Sequence, residues 1–167
     1  ALTLFIGNIT AVYQQSVKRM LAYSSIAQAG FMMFAVFAIN DMAKQGLFNM
    51  LDNNYNFENL KVLDLFGGTG SISYEFASRG CQDITTVEIF PKCANFIKDT
   101  VKKHKIDAIK VMQMDVFDYI KNCQQQYDVI FAGPPYPLPN LNTIPDLIFE
   151  QNMVEGEGWF ILEHNPN

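Results

Sequence analysis

Between Lys61 and Glu163, short apolar runs alternate with segments patterned for helix, and this alternation limits the fold more than any other feature. The pattern predicts strands over Lys61–Phe66, Ile84–Glu88, Ile109–Met114, Tyr127–Ala132 and Trp159–Glu163. It predicts helices over Ser71–Arg79, Pro91–Lys103, Val116–Gln125 and Thr143–Gln151. Gly80 is placed to end the first of these helices. Strands separated by helix-length crossovers pair in parallel, and continuous apolar strands need cover on both sides. The expected class is therefore α/β: a Rossmann-like, mostly parallel sheet with helices on both faces. An additional helix is expected over Asp41–Leu51, where Met42, Leu47, Met50 and Leu51 recur at helical spacing behind Asp41 as a cap. The polar run Asp52–Asn59 is expected to end it.

Charge divides the chain in two. Residues 1–40 hold only Lys18 and Arg19, whereas 41–167 hold the other ten basic residues and all seventeen acidic ones. The step predicts two segments, 1–40 and 41–167. Met20–Asn40 has no charge, and as a helix it would cross a hydrocarbon core of roughly 30 Å. Ala1–Tyr13 is a shorter apolar stretch, and QQSVKR between the two reads as a polar turn with Lys18 and Arg19 at headgroup level. Residues 1–40 are thus expected to be a helical, membrane-like hairpin with possible membrane contact; a buried hairpin in a soluble fold is the alternative. A secretory signal fits poorly, since the positive charges follow the first apolar stretch. The net charge of −5 argues against a generally basic nucleic-acid binder. Cys81, Cys93 and Cys123 are widely spaced, so reduced buried thiols are expected and no metal site.

Doubly wound sheets bind ligands at the carboxyl ends of their strands. There the first strand runs into Asp64-Leu65-Phe66-Gly67-Gly68-Thr69-Gly70. Glycines let backbone turn tightly and approach a ligand, and Asp64 is a candidate partner for the amino group of a zwitterion. Glu88 ends the second strand, where an acid can accept both ribose hydroxyls, and Ile89 can pack on adenine. Asp115 ends the third strand, followed by Val116. It is a candidate acceptor for the adenine amino group, or alternatively the cap of the next helix. There is no GxGxxG, which disfavours a nicotinamide dinucleotide. S-adenosylmethionine, with no pyrophosphate to cradle, fits better.

The fourth strand runs into Gly133-Pro134-Pro135-Tyr136. Together VLDLFGGTGSISYEFASRG, TTVE, MDVF and DVIFAGPPY resemble the motifs of class I methyltransferases that modify exocyclic amines. With the DMAKQGLFNML opening, Asp41–His164 resembles the RsmD-type 16S rRNA guanine-N2 methyltransferases over about three quarters of the chain. The resemblance implies S-adenosylmethionine as methyl donor, held by Asp64, Phe66, Gly67, Gly68, Gly70, Glu88, Ile89, Asp115 and Val116. It implies a 16S rRNA substrate, free or in a small-subunit assembly intermediate, and a cytoplasmic location for this part. It also implies that the base lies against Gly133, Pro134, Pro135 and Tyr136. Separately, VKRMLAYSSIAQAGFMMFAVFAIN resembles a transmembrane piece of NADH-quinone oxidoreductase subunit N. One hairpin cannot supply that family's proton path, which needs ionisable groups on several packed helices. Two alternatives to the methyltransferase follow: a membrane fragment of a respiratory proton-translocating subunit, or a non-functional chimera of the two.

Three departures from the RsmD-type pattern stand out. Gly133 occupies a position where the family has Asp or Asn, so a side-chain acceptor for the target amine is missing. By analogy with a lost oxyanion-hole donor this costs about 2–4 kcal/mol of transition-state stabilisation, and impaired catalysis is expected. A basic segment ahead of the opening helix is replaced by the apolar one. Finally, the chain stops before the family's closing antiparallel hairpin, which predicts a sheet lacking its last strands and an apolar edge at Trp159–Leu162. Lys98, Lys102, Lys103, Lys105 and Lys110 either touch phosphate or form a solvated helix face.

Overall fold

The computed structural model describes residues 44–135 and 138–163. The apolar segment 1–40, Asp41 and Tyr136 lie outside these residues. The chain divides into two compact units, 1–54 and 55–167. In the first, a helix (α1) covers 44–54 and buries Phe48 and Leu51. It runs three residues past Leu51, the expected end. Asn54 Nδ2 donates back to the Met50 carbonyl at 2.7 Å and closes the last turn.

The second unit begins with a 3₁₀ turn, Phe57–Asn59, inside the run expected only to break a helix. Asn56 caps it by accepting from Glu58 N, and Phe57 is buried. Five strands and four helices then alternate: β1 (Lys61–Leu65), α2 (Ser71–Ser78), β2 (Asp83–Val87), α3 (Pro91–His104), β3 (Ile109–Met112), α4 (Val116–Asn122), β4 (Tyr127–Ala132), α5 (Ile144–Glu150) and β5 (Val154–Leu162). The sheet order is β3-β2-β1-β4-β5, with every pairing parallel. Strand order reverses at β1, whose two neighbours are β2 and β4. That switch point opens a crevice at the carboxyl edge of the sheet.

The period of two along each strand assigns the faces. Leu63, Leu65, Val87, Ile130 and Ala132 pack with Val116 and Ile120 of α4 and Ile144 and Ile148 of α5 in one apolar cluster. The alternate positions Val62, Asp64, Ile84, Thr86 and Val129 are buried as well, on the face that α2 covers through Ser73. Helices thus cover both faces, which is why the strands read as almost unbroken apolar runs.

Within the first cluster, the hydroxyls of Tyr119 and Tyr127 share a hydrogen bond of 2.6 Å. Burial pushes both phenols above their ordinary pKa, Tyr119 the further of the two. Cys81 is buried, with its thiol donating to the Leu60 carbonyl at 3.2 Å and its pKa raised by burial. Cys93 and Cys123 are only half-buried, which corrects the expectation of buried thiols for those two.

β5 starts five residues before the expected Trp159. Its opening residues, including Gly156 and Gly158, lack apolar alternation, so the sequence hides them. The ladder slips between Tyr127↔Val154 and Val129↔Trp159, and the intervening residues form an irregularity in the edge strand. The apolar end of β5 is partly covered. Tyr55 stands edge-on to Trp159 at 5.7 Å, and Phe149 edge-on to Phe160 at 6.0 Å.

Candidate functional site

The glycine loop turns out of β1 through an unusual backbone. Phe66 has φ 63, a left-handed conformation that costs a bulky residue about 1–3 kcal/mol and clusters at functional sites. Gly67 then passes so close to β2 that a Cβ there would overlap the Thr86 methyl. Its N–H donates to the Val87 carbonyl at 3.0 Å. Gly70 has φ +85, and a Cβ on it would lie 2.9 Å from the Tyr74 ring. Its N–H closes the turn on the Gly67 carbonyl at 2.7 Å, and α2 starts directly behind it.

Glu88 fixes the loop from the other side. It is only 5% exposed, yet it leaves the end of β2 as a carboxylate held by two backbone donors. Gly68 N–H donates to Oε2 and Phe90 N–H to Oε1, each at 2.7 Å. A carboxylate offers about four lone-pair sites, so two bonds leave acceptor capacity on an orientation already set. Ile89 and Phe90 follow, 48% and 63% exposed, as an apolar pair beside that acid. Phe90 was not among the expected site residues. The signal for it was present in the sequence: a second exposed apolar residue next to Ile89, just before Pro91 starts a helix.

Asp64 is the penultimate residue of β1. It is 2% exposed on the face covered by α2, and its Oδ2 accepts from Ser73 Oγ at 2.6 Å. Ser73 has one hydroxyl hydrogen, and giving it to Asp64 makes Thr86 the donor in the 2.6 Å contact between Thr86 Oγ1 and Ser73 Oγ. The chain of bonds ties α2 to β1 and β2 directly beneath Gly67. Asp115 caps α4, its Oδ1 accepting from Phe117 N at 2.8 Å and Asp118 N at 3.2 Å. Val116 is buried in the core under α4, so only its backbone is available to a ligand.

At the end of β4, Gly133 N–H donates to the Leu65 carbonyl at 3.3 Å, bringing the Gly-Pro-Pro segment beside the glycine loop. Pro134 is buried and Pro135 exposed. The basic cluster lies elsewhere. α3 runs back from the carboxyl edge of the sheet, so its last turn, with Lys102 and Lys103, sits at the opposite edge. These charges face the negative end of the helix dipole. Lys110 is paired with Asp83 at 2.9 Å. A depression of about 470 Å³ lined by Thr85, Lys110, Met112, Tyr119 and Cys123 shares no residue with the strand-end group.

At Gly67 and Gly70 a side chain would collide with Thr86 and Tyr74, so the loop packs tightly against β2 and α2. Tyr74, against Gly70, has a buried hydroxyl with no hydrogen-bond partner. Native structures rarely leave such a group unpaired. Such a group fits a bound polar ligand. Among the described residues no three potential metal ligands cluster.

The family described as conserved hypothetical protein 95 matches residues 39–167. The chain belongs to that family. Among curated relatives, ribosomal RNA small subunit methyltransferase D of Buchnera aphidicola is 27% identical over 120 residues. The match covers 72% of this chain and 61% of that protein, so the chain spans about three fifths of the relative's length. A crystal structure of a Haemophilus influenzae protein, provisionally described as a methylase, superposes with a TM-score of 0.64 at 28% identity. It covers 73% of this chain and 77% of the other. NADH-quinone oxidoreductase subunit N 1 of Solidesulfovibrio magneticus is 39% identical over 80 residues, which is 16% of that protein. The sheet is that of a Rossmann-like methyltransferase. No helix among the described residues is long and apolar enough to cross a membrane.

Proposed function

We propose that this family member binds S-adenosylmethionine at the carboxyl edge of its sheet and methylates the exocyclic N2 of a guanine in 16S rRNA, free or within a small-subunit assembly intermediate. The observation that carries the reading is the Glu88 carboxylate, buried and aimed by the N–H groups of Gly68 and Phe90 beside a loop in which Gly67 and Gly70 have no room for side chains. The name of the Buchnera relative supplies the substrate class.

When bound, S-adenosylmethionine supplies an electrophilic methyl group on a sulfonium sulfur. The protein's own residues position the partners. Glu88 accepts from the ribose hydroxyls through its remaining lone pairs. Ile89 and Phe90 cover the flat face of adenine, and Asp115 accepts from its amino group with the capacity that capping leaves. The backbone of Phe66, Gly67, Gly68 and Gly70 borders the methionine part. Tyr74 Oη is a donor for its carboxylate. Asp64 acts from behind, by holding α2 and the loop in place, rather than by meeting the ligand amine itself. At the base, the Pro134 carbonyl accepts a hydrogen from the guanine amine, with Pro135 beside it and Tyr136 stacking on the ring. Gly133 contributes no side-chain acceptor, and by itself this withdraws about 2–4 kcal/mol from the transition state.

Titration calorimetry of S-adenosylmethionine into the full chain tests the reading. Saturable one-to-one binding is expected, weakened at least tenfold in Glu88→Ala. Absence of binding at millimolar ligand would sink it.

A further inference from the structure

We propose that Glu163 is a catalytic residue that supplies, from the end of β5, the acceptor missing at Gly133. This rests on the methyl-transfer reading above.

The carbon that a side chain at 133 would need is already crowded. An ideal Cβ there falls 3.3 Å from Oε2 of Glu163 and 3.2 Å from Cε1 of Phe131. The carboxylate of Glu163 thus occupies the neighbourhood into which an Asp at 133 would project its own. The backbone fixes this approach. Glu163 N–H donates to the Ala132 carbonyl at 2.9 Å, extending the β4–β5 ladder one step beyond Ala132↔Leu162. Gly133 N–H in turn donates to Leu65. The ends of β1, β4 and β5 therefore meet, with the carboxylate entering from β5 instead of β4. Glu163 is exposed, so it is open to a substrate and to water.

The chemistry asks for an oxygen acceptor at this point, not for a particular strand to carry it. The guanine amine donates one hydrogen to Glu163 and one to the Pro134 carbonyl. Its nitrogen lone pair forms the new N–C bond as the C–S pair passes to sulfur, leaving S-adenosylhomocysteine. The proton shed by the methylated nitrogen is taken by Glu163 and passed to bulk water. A carboxylate fits this role better than an amide because it can take the proton as well as the hydrogen bond.

The arrangement also sets an added acid at 133 against Glu163. The φ of Gly133 lies outside the left-handed range, so an L-residue could adopt the backbone. Asp at 133 would place a second carboxylate against Glu163, and like charges at such distances oppose each other's ionisation.

The test uses the full chain and four variants: Glu163→Ala, Glu163→Gln, Gly133→Asp, and Gly133→Asp with Glu163→Ala. Single-turnover methyl transfer to 16S rRNA is measured beside the calorimetric Kd for S-adenosylmethionine and the Tm. Glu163→Ala is expected to slow transfer about 10²-fold, with the Kd within about twofold. Glu163→Gln, similar in size and unable to take a proton, is expected to lose about tenfold. Gly133→Asp is expected to lower the Tm more when Glu163 is present than when it is Ala, Phe131 crowding the new Cβ in both, so that the difference is a readout of proximity independent of activity. The double variant should recover at least tenfold over Glu163→Ala. Transfer indifferent to Glu163, in a full chain that does methylate, overturns this proposal alone. Failure of the full chain to transfer any methyl group overturns the underlying reading and the proposal with it.

Discussion

Gly67→Ala, alone and with Thr86→Ser, probes the loop that the proposed site depends on. The new Cβ would overlap Thr86 Cγ2, while Ile97 Cδ1 at 3.7 Å remains an ordinary contact. Thr86 is fully buried, and its hydroxyl is held by Ser73 at 2.6 Å. Rotating the methyl away would therefore forfeit a hydrogen bond worth about 0.5–1.5 kcal/mol. Forcing the loop outward incurs an overpacking cost of about 1–3 kcal/mol. Reduced freedom of the unfolded chain returns about 0.4–1 kcal/mol. The net expectation is a loss of about 1–2 kcal/mol, with the Tm falling about 2–4 °C per kcal/mol at this chain length. Thr86→Ser removes only the colliding methyl and keeps the hydroxyl, at about 0.8 kcal/mol. The double variant should be more stable than the sum of the singles by about 1 kcal/mol or more, and should regain the ligand affinity that Gly67→Ala loses. Urea unfolding of the four proteins measures this cycle. Additivity within about 0.5 kcal/mol would refute the steric account.

Glu88→Gln turns an amide NH₂ toward one of two backbone donors, so one bond is lost. A stability loss of about 1–3 kcal/mol in urea unfolding is expected, with weaker S-adenosylmethionine binding by calorimetry. Ser73→Ala removes the one hydroxyl that meets both Asp64 Oδ2 and Thr86 Oγ1 in the interior, and an unfolding cost of about 1–3 kcal/mol is expected. Tyr119 and Tyr127 keep their protons in the folded chain above the ordinary value of 10.0, while the unfolded chain loses them near it. Their contribution to stability is intact below pH 10 and declines as pH rises beyond it. Absorbance titration should show two tyrosines that ionise only as the fold is lost, and Tyr127→Phe should weaken that pH dependence.

The sheet and its helices were legible because their signal is local. Each strand is a short apolar run, and each crossover carries helical spacing or a terminal marker such as Pro91 or Gly80. β5 was legible only from Trp159 onward, since its first residues pair with β4 through an irregular register that no alternation announces. The acids at the strand ends were legible as a group, but not their separate tasks. Asp64 and Glu88 share one parity, since Asp64 pairs with Thr86, so what separates them is how far along the strand each sits. Asp64, within β1, turns toward Ser73, whereas Glu88, one step past β2, does not. The lysine cluster could be counted in the sequence, but its place at the far edge of the sheet follows from the direction of α3. The approach of Glu163 to Gly133 was hidden for a similar reason. It joins residues thirty positions apart through the pairing of β4 with β5.

The central claim is a methyl group placed on the exocyclic nitrogen of a guanine. It is tested most directly by incubating the full chain with S-adenosylmethionine carrying a labelled methyl and 16S rRNA, both naked and in small-subunit particles. The RNA is then digested to nucleosides and the labelled product identified. Label is expected in N2-methylguanosine, strongly reduced in Glu88→Ala. Label in another nucleoside, or none in RNA from a chain that binds S-adenosylmethionine, would contradict it.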